Sequence, residues 1–266
     1  MQRETRRAFL SGLLVASSGA MFRCPAAERA WPAEGVFGSL VCHADSELGS
    51  VQPVLQQLAE LPGQIDRQIE TGAKLGKVHL FLFTRPATYR AYVQNHFPEA
   101  PERRALYVKR GAAGMIFAAR STTLGEDLRH EATHAYLHQV VTGLPLWLDE
   151  GLAEYYEVAA AERHFGHPHH REMCQRLRQG YQPSLSLLER LSPRQSLKSR
   201  DYCQSWAWVH FLLHGGADLQ AELVQFLADL RADRPAGYLG HRLAEGRGDL
   251  GQRFRTHFIE RMSSSD

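Results

Sequence analysis

The sequence predicts an α+β fold. A small mixed β-sheet forms an N-terminal lobe, a mainly helical lobe follows, and a histidine-bearing helix lies between them. Three observations carry this expectation. The clearest β-branched and aromatic run, residues 77–83 (Lys-Val-His-Leu-Phe-Leu-Phe), lies in the first half. From Leu124 onward apolar residues recur at three- and four-residue spacing. Gly, Pro and Ser then divide the second half into segments of helical length. With 266 residues, 44% of them apolar, the chain can bury a proper core as one domain, or as two lobes around a cleft.

Taken in order, residues 1–30 read as a signal peptide and leader. Thr5-Arg6-Arg7-Ala8-Phe9-Leu10 has the twin-arginine pattern, and an uncharged apolar stretch follows to Phe22. That stretch is too short and too rich in small residues for a stable membrane span. Ser18-Gly19-Ala20 is the expected cleavage site. Such a signal implies the twin-arginine export machinery as a partner and a periplasmic or secreted location. That route carries proteins already folded, often with a cofactor inserted. Removing residues 1–20 leaves 28 basic and 28 acidic residues, so nothing in the charge recruits nucleic acid or anionic lipid.

Residues 31–266 are expected to form one domain, with an α/β lobe over 31–122 and a helical lobe over 123–262. Residues 31–50 read as loop and one strand. Residues 51–70 read as a helix interrupted near Leu61-Pro62-Gly63, and 86–97 as a helix with Pro86 in its first turn. Residues 107–120 suggest a hairpin around Gly111 and Gly114. The next helix starts after Thr122 or Thr123 and stops before Gly143 and Pro145. Further helices are expected at 145–165, 171–180, 184–191, 201–214, 217–232, 236–245 and 249–262, with a frayed tail at 263–266. There are no repeats.

The central helix carries Arg129-His130-Glu131-Ala132-Thr133-His134, an H-E-x-x-H pattern. Four-residue spacing puts both imidazoles on one helix face, one turn apart, where they can grip one ion. Glu131 is rotated by about 100° from His130, so it sits beside the ion and can take a proton from the attacking water. A catalytic zinc site has three protein ligands. Sixteen residues after His134 comes Glu150, and one turn on comes Glu154. We expect Glu150 as third ligand and Glu154 as the acceptor that fixes the tautomer of a ligand histidine. The spacing also permits the reverse. Asp149 is expected to point away from both, as a helix-start or hydrogen-bonding carboxylate.

H-E-x-x-H followed by Trp147-Leu148-Asp149-Glu150-Gly151-Leu152-Ala153-Glu154-Tyr155 resembles the gluzincin metallopeptidases. Within them it is similar to the catalytic core of the M1-like aminopeptidases, and closest to small peptidase MA-like proteins of bacteria. The resemblance covers roughly residues 105–215. It implies a zincin-like fold, one bound Zn2+ on His130, His134 and Glu150, and a peptide or protein substrate. Asp201-Tyr202-Cys203-Gln204-Ser205-Trp206-Ala207 resembles the family's helix start that carries a transition-state tyrosine, which implies Tyr202 as a phenol donor to the oxyanion. The family's strand before the active-site helix is the sheet edge to which an extended substrate adds. Gly114, Met115 and Ile116 are expected there, with apolar side chains near the cut. The aminopeptidases carry on that strand a glutamate that anchors the substrate amine. Residues 111–117 have no carboxylate, which favours an endopeptidase over an aminopeptidase.

The expected function is therefore an exported zinc-dependent metallopeptidase. The alternatives are a catalytically silent zinc-binding scaffold of the cell envelope and a hydrolase of cell-wall peptides. The intact Glu131 favours an enzyme over the scaffold.

Four cysteines remain. Cys24 lies in the leader, and Cys42, Cys174 and Cys203 form no C-x-x-C pair. A Cys174–Cys203 disulfide is the expected pairing, because both lie in the helical half. His164, His167, His169 and His170 crowd into seven residues, which reads as an exposed loop, with a second metal site as the sharper alternative. His210 and His214 read as ordinary polar or half-buried residues, His214 alternatively as a helix cap before Gly215.

Overall fold

A computed structural model of the chain describes residues 31–72, 75–111, 113–192, 195–245 and 248–259. The expected signal segment, its cleavage site, Cys24 and the 263–266 tail lie outside the described residues. The molecule is a mixed α/β structure, in agreement with the α+β expectation.

Its five-stranded sheet has the order β1-β2-β3-β5-β4. β1 (Ala33–Phe37) and β2 (Leu40–Ala44) form a hairpin with two turn residues, and Gly38 adopts a φ of +60° there. Only one strand was expected in this stretch. β1 is a half-exposed edge strand, so its sequence lacks the apolar run that marks β3 (Val78–Phe83). β2, β3 and β5 (Ala113–Ala119) run parallel, and β4 (Ala105–Arg110) adds antiparallel to β5. β5 is therefore interior. Its Gly114, Met115 and Ile116 pair with Val78, His79 and Leu80 on one side and with Lys109, Val108 and Tyr107 on the other. The strand at this edge of the sheet is β4, not β5 as expected. β4 and β5 form the expected hairpin, and pairing with β3, a non-local property, puts β5 inside the sheet.

Strand alternation splits the sheet's side chains between two layers. Leu80, Leu82, Tyr107 and Ile116 face α1 (Gln52–Ile69) and α3 (Leu124–Val140). Phe81, Phe83, Met115 and Phe117 face α2 (Pro86–His96). Met115 thus points away from the histidine helix, contrary to expectation, and Phe117 does the same.

α1 runs unbroken through Pro62, where an interruption was expected. Proline offers no N–H to the carbonyl four residues earlier. That carbonyl belongs to Leu58, and the buried Tyr136 hydroxyl of α3 lies 3.5 Å from it. The tertiary contact partly replaces what the helix lacks.

The helical part continues with α4 (Leu146–Glu157), α5 (Pro168–Arg178), α6 (Leu185–Glu189), α7 (Ser199–His214), α8 (Ala217–Arg231), α9 (Leu239–Ala244) and α10 (Leu250–Ile259). α4 ends eight residues before the expected 165. α5 starts three before the expected 171, at Pro168, with His167 Nδ1 accepting from the His169 amide. α7 starts at Ser199, where the Asp201 carboxylate accepts from the Lys198 amide at 2.8 Å.

α4 is an inner helix. Residues 146–156 are all buried, and it packs between α3 and α7. A Cβ on Gly151 would meet the Ser205 carbonyl oxygen of α7 at 2.6 Å. Glycine at this position sets how closely α4 and α7 approach. Among the described residues no helix is long and apolar enough to cross a membrane.

Candidate metal centre

Both elements of the centre follow from the local sequence. α3 repeats histidine at 130, 134 and 138, one turn apart. α4 repeats carboxylates at 150, 154 and 157. Packing α4 on α3 brings these two polar stripes together inside the molecule. His130 is 6% exposed, Glu131 7%, His134 3%, Asp149 2%, and Glu150 and Glu154 0%. Carboxylates taken out of water at this depth require positive charge beside them.

The hydrogen bonds fix the imidazole tautomers. His134 Nδ1 lies 2.8 Å from Asp149 Oδ1, and His130 Nδ1 lies 3.1 Å from Glu157 Oε2. Carboxylates accept, so each Nδ1 carries the proton it donates. In the neutral rings both Nε2 atoms are then lone pairs. They face each other at 3.3 Å, and Glu150 Oε2 completes a triangle at 3.8 Å from His130 Nε2 and 3.7 Å from His134 Nε2. The point equidistant from all three corners is about 2.1 Å from each, which is a metal–nitrogen and metal–oxygen bond length. Three electron-pair donors converge on one point, and these three residues can hold a metal ion.

Without an ion, His134 can hold a second proton instead. Burial lowers its basicity, but the charges of Asp149 and Glu150 overcome that and raise its pKa to about 9. Asp149 is held well below the usual carboxylate range. Burial opposes this, and the His134 and His138 beside it prevail.

Glu131 stands next to His130 on α3, and its Oε2 accepts the Tyr107 amide at 2.9 Å. That N–H points off the free edge of β4, so the carboxylate sits at the sheet edge, where its charge also reaches His134. Two phenols feel its charge. Burial pushes the Tyr89 and Tyr107 hydroxyls up, Glu131 raises Tyr89 further, and Asp149 and Glu131 raise Tyr107 further. Neither buried hydroxyl has a hydrogen-bond partner among the described residues.

Of the expected site residues, His130, Glu131, His134 and Glu150 come together. Glu154 does not serve a ligand histidine as expected. Its Oε1 is 4.0 Å from His130 Nδ1, beyond hydrogen bonding, and its Oε2 is bonded to His169 Nε2 at 3.0 Å. Glu157 takes that role for His130, and Asp149 takes it for His134. Asp149 therefore does not point away. It bridges His134 and His138 at 2.8 Å each. Glu157 could have been found, since it lies seven residues after Glu150 on the same face. Asp149 carried no such signal. Helical rotation turns it from Glu150, but a helix buried on every side has no outward face. Tyr202 is 1% exposed and packs with Leu146 and Leu197.

The histidine run does not assemble. His164 stacks on His214 and His167 on Trp206, while His170 lies 3.9 Å from the Cys174 sulfur. His210 is fully buried rather than ordinary, with Nε2 donating to the His164 carbonyl at 2.7 Å and Nδ1 facing His257 at 2.9 Å. His214 does not cap α7. Its Nε2 lies 2.8 Å from the Tyr155 hydroxyl, and the cap is Gly215. Cys42, Cys174 and Cys203 are free thiols, so the expected Cys174–Cys203 disulfide is not formed. Cys174 Sγ instead donates to the Phe258 carbonyl at 3.2 Å, and Cys203 faces the His169 side of α5.

No protein-family model matches the chain, and no curated protein matches it.

Proposed function

We propose that this protein is an exported zinc-dependent metallopeptidase of gluzincin type with a zincin-like fold, and that it is an endopeptidase. The observation that carries the reading is the convergence of His130 Nε2, His134 Nε2 and Glu150 Oε2 on one point, with the charge of Glu131 felt at His134. Two imidazoles and one carboxylate form a zinc donor set that leaves a coordination position open. A zinc ion bound there supplies a Lewis acid, which lowers the pKa of water and polarises a carbonyl.

The chain's own residues do the rest. Asp149 and Glu157 hold His134 and His130 in the tautomer that presents Nε2 inward. Glu131 takes the proton of the attacking water and returns it to the leaving amine. Its Oε2 is held by the Tyr107 amide, so Oε1 is the oxygen that moves the proton. The free edge of β4 takes the substrate-binding role, and an extended peptide adding there lies alongside Glu131. β4, like residues 111–117, has no carboxylate to anchor a substrate amine. Tyr202, by resemblance, donates to the oxyanion. Tyr89 and Tyr107 are the phenols to compare it with. Residues 1–30 direct twin-arginine export, and replacing Arg6 and Arg7 by lysine should keep the protein inside the cell.

A catalytically silent zinc-holding scaffold of the envelope is the second reading. The low exposure of all four central residues favours it, because hydrolysis requires the site to open. Hydrolysis of a peptide library by zinc-loaded protein, wild type beside Glu131→Gln, tests the two. The peptidase reading expects cleavage by wild type and its near-complete loss in the variant with zinc retained. Undiminished cleavage in Glu131→Gln overturns the mechanism, and none by wild type favours the scaffold.

A further inference from the structure

We propose a second metal site, formed by His169, Glu172 and Cys203, for a divalent ion of the zinc class that accepts nitrogen, oxygen and sulfur together. It is separate from the His130–His134–Glu150 centre and does not depend on the peptidase reading. One ligand atom from each of the three residues lies within 4.8 Å of the other two. His169 and Glu172 are three apart in the first half of α5, so they share a face, and Cys203 comes from the neighbouring α7.

The surroundings orient each donor toward the same place. His169 Nε2 is 3.0 Å from Glu154 Oε2, a carboxylate with 0% exposure, and donates its proton there. In the neutral ring Nδ1 is then a lone pair, and it faces Glu172 Oε2 at 3.5 Å. Glu172 Oε1 is taken by Arg176, at 2.7 and 2.9 Å from two guanidinium nitrogens, which leaves Oε2 for the ion. Cys203 is fully buried beside them. A lone pair and a carboxylate oxygen that face each other need a cation between them, either a proton or a metal. A buried carboxylate that orients a histidine from behind is the arrangement that supports metal-ligating imidazoles.

The mixed donor set suits an ion of intermediate softness. Cys203 carries an S–H, directed at the His169 carbonyl 4.0 Å away. Binding replaces that hydrogen. The sulfur–metal bond forms as the S–H bond breaks, and the proton leaves to solvent. The ion would tie α5 to α7. Glu154 of α4 reaches from His169 toward His130, so a single carboxylate lies between the two sites.

Co2+ is the probe, because thiolate ligation gives a near-ultraviolet charge-transfer band that the His130–His134–Glu150 centre lacks. Metal-free exported protein titrated with Co2+ should show this band, and mass spectrometry should find two ions per chain. Glu150→Ala should lose one ion and keep the band, and Cys203→Ser should lose the band and the other ion. Should Cys203→Ser fail to fold, Glu172→Gln decides. It should weaken the band-forming Co2+ affinity by at least about tenfold. No band in wild type, a band surviving in Cys203→Ser, or an unchanged titration in Glu172→Gln overturns the proposal and leaves a proton in that place.

Discussion

Two histidine-rich stretches of this chain met opposite fates. Between 130 and 138 three histidines repeat every fourth residue of one long helix. Two aim their Nε2 atoms at one point, and the third shares Asp149 with its neighbour. Between 164 and 170 four histidines crowd together and scatter. Their rings go to His214, Trp206, Glu154 and the Cys174 sulfur. The second stretch crosses a helix start at Pro168, and successive residues of a helix turn by about 100°. Density of histidine thus says little about a metal site. Spacing on a continuous helix, matched by a carboxylate stripe on the helix that packs against it, says a great deal. If His169 does bind an ion, it does so with α5 and α7 partners that the run itself does not contain.

The strongest way to sharpen this contrast is Glu131→Gln, which keeps an acceptor for the Tyr107 amide. It should cost about 10²–10⁴-fold in peptide hydrolysis without loss of the ion, read by turnover beside metal content. Asp149→Asn and Glu157→Gln act behind the ligands. Each should weaken metal affinity about 10–100-fold, measured by chelator competition. Equal affinity to wild type would mean that the α4 carboxylates do not orient the imidazoles.

pH gives a graded test. The raised pKa of His134 means that the ion must displace its second proton. Affinity should rise about tenfold per pH unit as pH climbs from 6.5 toward about 9, then level off. In the metal-free protein the same proton stabilises the fold fully below pH 6.5. That contribution is lost as pH rises through about 9, so unfolding should become easier there. A flat profile in both would contradict the burial and charge assigned to His134.

Gly151→Ala forces a Cβ against the Ser205 carbonyl and should cost about 1–3 kcal/mol of stability in a denaturant titration. His164→Ala, in the scattered run, should leave metal content unchanged. Loss of an ion there would break the comparison.

The features of α3 and α4 were legible because helix periodicity is local. His130, His134 and Glu150 are related by spacing that one helix pair preserves. The sheet order was not legible, because whether β5 or β4 forms the edge is decided by pairing with β3, more than thirty residues earlier. The same blindness hid the partner of Leu58, since nothing near Pro62 announces the Tyr136 hydroxyl. Asp149 meets His134 although helical rotation turns it from Glu150, because α4 is buried all round. Cys174 and Cys203 share a lobe but answer to different neighbours, one to the Phe258 carbonyl and the other to the His169 side of α5. Where a residue's role depends on the element opposite, sequence spacing narrows the candidates and packing chooses among them.

The most direct test is zinc-edge anomalous diffraction from crystals of the zinc-loaded protein. The zinc peak should lie about 2.1 Å from His130 Nε2, His134 Nε2 and a Glu150 carboxylate oxygen, with Glu131 beside it but not ligating. Density absent from that point while zinc is bound elsewhere in the crystal, or a peak held by Glu154 in place of Glu150, would contradict it.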